Sequence, residues 1–298
     1  MKTIDRRGFL ESATAAAAVA ALRPRPAVAA ASGMKKALYV SMLPEKLGYR
    51  ERFQLAKDCG FEGIEVGTTP DPKAADEVKD ASAKTGLTVH SVMNADHWKY
   101  PLSSGDPAVV AKSVAGMETS LRNAKLWGCD SVLLVPAVVN PETSYKDAWT
   151  RSQKVVKERL LPLATELKVV IGMEEVWNKF LLSPLEMAKY VDEFASPYVK
   201  AYVDVGNMVF YGFPQDWIRT LGKRIHRVHL KDFKVQDEKL EWKNLGEGAV
   251  DWPEVRKAFG EVGYAGWVTA ELEGGDAAYL KDVAGRIDRF IAGQKPVA

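Results

Sequence analysis

Histidine and cysteine are scarce in this 298-residue chain, and neither sign of charge predominates. Cys59 and Cys129 both occur where a predicted helix passes into a strand, a context typical of small buried side chains rather than of a disulfide framework. Lysine and arginine total 41 against 39 acidic residues, for a formal net charge of +2. No apolar run reaches the roughly 18 residues that a membrane-spanning helix needs.

The N-terminal residues 1–29 predict an export signal. A twin-arginine pattern, Asp5-Arg6-Arg7-Gly8-Phe9-Leu10, precedes an alanine-rich apolar run, and Ala27-Val28-Ala29 is a plausible cleavage site. The alternative is a flexible alanine-rich tail. With a signal of this class we expect the folded protein to be exported and to act in the periplasm.

Removal of residues 1–29 also changes the electrostatic character of the chain. That segment holds five basic and two acidic residues, so the remaining 30–298 carry a formal charge of −1. A slightly acidic domain gives no electrostatic reason to expect nucleic acid as a partner. We expect no membrane association once the signal is removed, and the sequence is compatible with a homo-oligomer.

Residues 30–298 alternate strand-like and helical patterns without a low-complexity linker. Eight such units predict a single-domain α/β fold, the (β/α)8 TIM barrel, rather than a doubly wound sheet. The predicted strands are 36–42, 62–67, 87–94, 131–137, 169–175, 199–206, 225–233 and 266–273. Helices are expected near 45–59, 72–85, 106–127, 144–167, 184–195, 214–222, 252–262 and 276–292. Residues 233–250 show no regular pattern and are expected to form a lid or substrate loop.

Each of the last four predicted strands has an acidic or histidine side chain in the half that leads to its carboxyl end. These residues are Glu174, Asp204, His229 and Glu271. In a TIM barrel the carboxyl ends of all strands surround one mouth, so these side chains are expected to converge there. Three carboxylates and one imidazole suit Mn²⁺, Mg²⁺ or Co²⁺ better than a structural zinc ion.

The alternation of side chains along a strand decides which neighbouring residue faces the barrel interior. With Glu174 directed inward, Val169, Ile171 and Met173 face the helices, which suits apolar side chains. With Glu175 inward, that apolar set would fill the barrel instead. The pattern therefore favours Glu174, and Glu175 remains open as the alternative because a strand bulge would reverse the order.

Several segments resemble the xylose isomerase-like TIM-barrel superfamily. The resemblance covers the chain after the signal and is closest to the sugar (phosphate) isomerase/epimerase branch that includes D-tagatose 3-epimerase. It is carried by Glu174-Glu-Val-Trp-Asn-Lys-Phe180, Asp204-Val-Gly-Asn207, His229-Leu-Lys-Asp-Phe233, Gly246-Glu-Gly-Ala-Val-Asp-Trp252 and Thr269-Ala-Glu271.

The resemblance implies one divalent metal ion, Mn²⁺ before Mg²⁺, Co²⁺ or Zn²⁺, bound by Glu174, Asp204, His229 and Glu271. It also implies that Glu174 and Glu271 are the catalytic acid–base pair. The chemistry explains this, because a cation that holds the carbonyl and hydroxyl oxygens of a sugar stabilises an enediolate while a carboxylate moves the proton.

One departure from the resembled family concerns the substrate. Ketose 3-epimerases carry a histidine three residues after the strand-six aspartate, whereas this chain has Asn207, which can bind a hydroxyl but cannot titrate. Lys231 is a second candidate for substrate binding, with a surface ion pair to Asp232 as the alternative. His90 and Trp177 are further substrate-binding candidates, with capping or packing as alternatives. Glu65 is a candidate for a hydrogen bond to one of the metal-binding side chains, without contacting the ion itself.

We therefore expect a metal-dependent isomerase or epimerase that acts on a free sugar or keto-sugar. The alternative is a lyase or dehydratase that acts on a keto-sugar, cyclitol or oxidised glycoside, since that reaction begins with the same proton abstraction. The resembled superfamily also includes a trinuclear zinc endonuclease, but four histidines are too few for its metal cluster. A sugar-binding module without catalytic activity would need no metal ion.

Replacement of Arg6 and Arg7 by lysine tests the predicted signal. Because the arginine pair is the recognised part of such a signal, the double variant is expected to remain in the cytoplasm as precursor. Immunoblotting of cytoplasmic and periplasmic fractions measures this. Undiminished export would favour a general secretory signal instead.

Overall fold

The computed structural model describes residues 33–236 and 239–297. The predicted signal, residues 1–29, lies outside the described residues. Within the described ranges, no helix is long and apolar enough to cross a membrane.

Eight parallel strands form a closed barrel, which confirms the predicted fold. Each strand pairs with the next along the chain, and the last pairs with the first. In order around the barrel the strands are β1 (Lys35–Tyr39), β2 (Gly63–Gly67), β3 (Thr88–Met93), β4 (Ser131–Leu134), β5 (Val170–Glu174), β6 (Val199–Asp204), β7 (Ile225–Leu230) and β10 (Trp267–Ala270).

Helices connect the strands on the outside of the barrel. They are Tyr49–Asp58, Pro72–Thr85, Pro107–Trp127, Tyr145–Val155, Leu161–Leu167, Pro184–Asp192, Val205–Val209, Pro214–Leu221, Trp252–Glu261 and Ala277–Ile291. A five-residue π-helical turn, Val156–Leu160, joins the two segments of the predicted helix 144–167. Four of these helices have a proline in the first turn and an N-cap whose side-chain oxygen accepts a backbone N–H, namely Asp71, Asp106, Ser183 and Asp251.

The main hydrophobic core lies between the strands and the helices. Outward-facing residues of the barrel such as Ile171, Met173 and Val203 pack there against the helices. Cys59 and Cys129 are buried free thiols, as expected from their sequence context. Inside the barrel the filling is partly polar, with fully buried Glu65, Tyr202 and His229.

The segment after β7 differs from the prediction. The seventh strand ends at Leu230 rather than continuing to 233. A separate antiparallel pair follows, formed by β8 (Asp232–Gln236) and β9 (Lys239–Lys243). We call this pair the β8–β9 ribbon. The prediction of an irregular segment was therefore wrong for β8 and β9 and is confirmed for residues 244–250. The alternation of apolar Phe233, Leu240 and Trp242 with charged residues is the period-two pattern of a strand pair.

Candidate metal centre

The four ligand-type side chains of the last four barrel strands meet at one point. Glu174 and Asp204 are the last residues of β5 and β6, His229 is the penultimate residue of β7, and Glu271 directly follows β10. These strands are neighbours in the barrel. One ligand atom from each of the four residues lies within 4.8 Å of the others.

His229 is at the centre of this group. Its Nδ1 lies 3.0 Å from Glu174 Oε1, 2.8 Å from Glu271 Oε2 and 3.9 Å from Asp204 Oδ2. The imidazole is fully buried. One nitrogen of the ring therefore faces all three candidate carboxylate ligands.

The other nitrogen of His229 is held by Glu65. His229 Nε2 lies 2.7 Å from Glu65 Oε2, and Glu65 Oε1 accepts a hydrogen bond of 2.9 Å from the Tyr202 hydroxyl. All three side chains are fully buried. Metal-ligating histidines commonly have such a carboxylate on the second nitrogen, which fixes the ring orientation and raises its basicity. Glu65 therefore lies where a hydrogen bond behind the ligands was expected.

Asp204 is oriented by the backbone that follows it. Its Oδ1 accepts hydrogen bonds from Gly206 N at 2.8 Å and Asn207 N at 2.9 Å, so Asp204 is the N-cap of the short helix Val205–Val209. The second oxygen, Oδ2, faces His229 and Lys231. One side chain thus ends a strand, begins a helix and presents one oxygen to the cluster.

Glu175, the alternative to Glu174, is not part of the cluster. It is buried, and its Oε1 accepts a hydrogen bond of 3.3 Å from the backbone N of Asp204. Burial, with the nearby charges of Glu174 and Asp204, raises the pKa of Glu175 well above its ordinary value. The side-chain alternation used in the sequence analysis therefore selected the residue that the structure directs into the barrel.

Lys231 contacts two of the candidate ligands. Its Nζ lies 3.0 Å from Asp204 Oδ2 and 2.7 Å from Glu271 Oε2. The alternative of a surface ion pair with Asp232 was wrong, since Asp232 is buried and accepts hydrogen bonds from Gly246 N, Gly248 N, Val250 N and the Trp252 indole. Lys231 is thus directed into the site and Asp232 holds the loop after the ribbon.

The two candidate acid–base carboxylates have different electrostatic surroundings. Burial raises the pKa of Glu174 to about 7, although His229 offsets part of that rise. Burial also opposes ionisation of Glu271, but the charges of His229 and Lys231 outweigh it and hold the pKa of Glu271 below its usual range. The charges of Asp204, Glu271 and Glu174 outweigh the effect of burial on Lys231 and raise its pKa.

The donor set fits a divalent cation. Glu174, Asp204 and Glu271 offer carboxylate oxygens to one point, and burial of several carboxylates is costly unless positive charge compensates them. Oxygen-rich sets with one imidazole suit Mn²⁺, Mg²⁺ and Co²⁺. Bound to such an ion, His229 would be neutral at Nδ1, since metal ligands must be deprotonated.

Asn207 and Trp177 lie beside the cluster but are paired with protein groups. The Asn207 side-chain amide donates to Glu175 O at 3.2 Å, and its own backbone oxygen accepts from the Trp177 indole at 3.1 Å. The Trp177 ring stacks on Trp242 with a centroid distance of 5.1 Å and an angle of 9°. Both residues therefore connect the end of β6 with the β8–β9 ribbon.

His90 is not brought to the cluster. It lies in the middle of β3, is buried, and stacks on Trp267 at a centroid distance of 4.9 Å. Among the described residues its side-chain hydrogen-bond partner is Thr269 Oγ1, 3.0 Å from Nε2. This geometry corresponds to the packing alternative rather than to a substrate contact.

A cavity of about 400 Å³ adjoins the cluster at Glu271 and Lys231. It opens between the end of β10, the β8–β9 ribbon and the start of the helix Ala277–Ile291. Its wall combines aromatic, aliphatic and polar side chains, namely Ser41, Lys231, Trp242, Lys243, Asn244, Glu271, Leu272, Glu273 and Tyr279. Trp242 was not among the residues predicted from the sequence, although the period-two pattern of the ribbon could have identified it.

Comparison with known proteins gives one family match over most of the chain. The family described as xylose isomerase-like TIM barrel matches residues 53–289. A curated relative, the L-ribulose-5-phosphate 3-epimerase UlaE of Escherichia coli O1:K1, is 26% identical over 248 residues, which cover 79% of this chain and 86% of the relative.

Solved structures share the fold. A D-tagatose 3-epimerase-like protein superposes with a TM-score of 0.75 at 18% identity, covering 87% of this chain and 97% of the other. A D-psicose 3-epimerase, whose structure was determined in the presence of D-fructose, gives a TM-score of 0.72 at 19% identity and covers 87% of this chain and all of the other.

The cluster predicts one divalent metal ion per chain. Asp204→Ala and His229→Ala are expected to weaken metal binding by at least about 100-fold, because loss of a direct ligand exceeds the ~10–100-fold effect of outer partners. Elemental analysis and metal titration of the folded variants measure this. Glu175→Gln is the matched control, since its amide oxygen can still accept from Asp204 N. Full occupancy in both ligand variants would contradict the site.

The contact between Glu65 and His229 gives a second prediction. Glu65→Leu removes the acceptor behind the imidazole and is expected to weaken metal binding by about 10–100-fold. Glu65→Gln is expected to recover much of the affinity, because its amide oxygen can still accept from His229. Equal metal affinity in the wild type and the leucine variant, measured by titration against a chelator, would show that Glu65 does not orient the ligand.

Proposed function

The chain belongs to the xylose isomerase-like TIM-barrel family, and we propose that it is a divalent-metal-dependent isomerase or epimerase acting on a free sugar or keto-sugar. The observation that carries the proposal is the convergence of three carboxylates and one imidazole at the barrel mouth. The curated relatives named L-ribulose-5-phosphate 3-epimerase support epimerisation of a sugar in particular.

The bound ion would be held by Glu174, Asp204, His229 and Glu271, and Mn²⁺ is the first choice for this donor set. A divalent cation at such a site supplies Lewis-acid polarisation of a carbonyl oxygen, which makes the neighbouring C–H group more acidic. The side chains of the chain itself then bind the sugar and move the proton.

Glu174 and Glu271 are proposed as the groups that move this proton. Glu174 ends β5 and Glu271 follows β10, and β6 and β7 separate these strands in the barrel, so the two carboxylates approach the site from different sides. Removal of a proton by one carboxylate and delivery of a different proton by the other to the opposite face inverts the carbon, which is epimerisation. Delivery of a proton to the neighbouring carbon instead would convert an aldose into a ketose or the reverse, which is isomerisation.

Lys231 is proposed to donate a hydrogen bond to a substrate oxygen. Its Nζ is already directed towards the reacting region by Asp204 and Glu271. An ammonium group there stabilises negative charge that develops on a sugar oxygen during proton abstraction.

We propose a substrate without phosphate, and one backbone amide after β10 supports this. TIM barrels that bind phosphate commonly use backbone amides of the loops after the seventh and eighth barrel strands. Here the short Gly274-Gly275 segment has the Gly275 N–H donating to Met42 O at 3.3 Å, so this amide is occupied. The twin-arginine pattern adds a second argument, since phosphorylated sugars are kept in the cytoplasm and the proposed enzyme acts in the periplasm.

Glu271→Gln tests the assignment of the proton carrier. The amide oxygen can still coordinate a metal ion, but it cannot accept a proton, so we expect retained metal binding with turnover lowered at least ~10²-fold. Glu174→Gln is expected to behave similarly. The measurement is incorporation of solvent deuterium into a panel of ketoses, keto-glycosides and cyclitols by the metal-loaded protein in D₂O.

The deuterium assay also separates the possible outcomes. Deuterium retained in an epimer or isomer supports the proposal, and loss of water or of an aglycone would identify a lyase instead. Undiminished turnover of both glutamine variants at saturating metal would refute the two-carboxylate mechanism.

A further inference from the structure

The cavity beside the metal centre lies on one side of the cluster. Of the four candidate ligands only Glu271 contributes to its wall. Lys231, which contacts Asp204 and Glu271, is also part of the wall. From there the cavity reaches Asn244 beyond the ribbon and Tyr279 in the first turn of the helix Ala277–Ile291. The space thus continues outward from the point where the reacting part of a substrate would lie.

An aromatic side chain of fixed orientation forms part of this wall. Trp242 is 49% exposed although it belongs to the β8–β9 ribbon and lies beside buried residues. Its ring is stacked on Trp177 and is held edge-on by Phe233 at a centroid distance of 5.6 Å. An apolar ring that is both rigid and half exposed in a cavity is suited to cover the C–H face of a flat ligand.

The polar part of the wall suits a neutral ligand with hydroxyl groups. Lys243 is paired with Glu241 at 2.5 Å, and Lys231 is paired with Asp204 and Glu271. The wall also holds Glu273, an additional negative charge. An anionic group would therefore meet carboxylates and lysines that are already paired. Ser41 offers a neutral hydroxyl group. The Asn244 amide is held by Asp282 Oδ2 at 3.2 Å and Leu245 N at 2.8 Å, and its second N–H can still donate to a hydroxyl group.

We propose that this cavity binds a second, neutral sugar ring, so that the substrate is a glycoside or oligosaccharide whose reacting residue lies at the carboxylate cluster. The inference rests on the proposed function for the identity of the reacting end. The outer ring would stack on Trp242 and exchange hydrogen bonds with the polar residues of the wall. A rigid aromatic contact of this kind loses little conformational entropy on binding.

Calorimetric titration of the metal-loaded protein with unreactive saccharides tests the inference. Cellobiose, maltose and trehalose are compared with glucose and glucose 6-phosphate. At least one disaccharide is expected to bind about tenfold or more tightly than glucose, and the phosphate ester no more tightly than glucose. Equal affinity of all three disaccharides and glucose, or clearly tightest binding of glucose 6-phosphate, would overturn the proposal.

Substitutions at the ribbon show whether Trp242 is responsible for the tighter binding of a disaccharide than of glucose. Trp242→Ala is expected to remove the disaccharide preference, while Trp242→Phe retains part of it. Phe213→Ala is the matched control, because Phe213 is also an exposed aromatic but is not among the residues of the cavity wall. An unchanged preference in the folded alanine variant would refute the role of Trp242.

The Asp204→Ala variant separates this inference from the proposed function. Asp204 is not in the cavity wall, so its removal is expected to leave the ratio of disaccharide to glucose affinity in place while metal binding and deuterium exchange are lost. In the wild type, a disaccharide preference together with no deuterium exchange on any sugar of the panel would refute the isomerase proposal alone. In the wild type, exchange on free sugars without a disaccharide preference would refute the second-ring site alone.

Discussion

The burial of several carboxylates at one point is the constraint on which the rest of the site depends. Each ionised carboxylate removed from water costs several kcal/mol unless positive charge and hydrogen bonds compensate it. Within the described residues, His229 and Lys231 supply the positive partners, and the backbone N–H groups of Gly206 and Asn207 satisfy one oxygen of Asp204. A divalent cation at the centre would offset the remaining negative charge of the buried carboxylates, and this is why the donor set indicates a metal site.

The closed barrel makes this arrangement geometrically stable. Strands β5, β6, β7 and β10 are hydrogen-bonded neighbours, so their carboxyl ends are fixed relative to one another. The chain connecting them can vary without moving the ligands, since the register of each pair is set by the sheet. Tyr202 and Glu65 then hold the imidazole from inside the barrel. Rigid elements therefore carry the candidate ligands, as precise sites require.

Much of the fold and the ligand set could be predicted because both follow from local periodicity. Alternating strand and helix patterns indicated the barrel, and side-chain alternation distinguished Glu174 from Glu175. His90 could not be placed in the same way, since its surroundings depend on Trp267 and Thr269, which are distant in sequence. The partnership of Glu65 with His229 across the barrel interior likewise depends on tertiary packing. The β8–β9 ribbon did carry a local signal, which the irregular-loop interpretation overlooked.

The helix cap at Asp204 implies that the site has one fixed and one adaptable side. Two backbone N–H groups lock the rotamer of Asp204, so this side chain loses little further freedom when it coordinates an ion. Glu271, in contrast, lies at the start of residues 271–276, which have no regular secondary structure before the last helix. Sequence change in residues 272–276 can therefore alter what is presented to a ligand while Asp204 stays in place. Loops held by a rigid scaffold commonly carry binding function in this way.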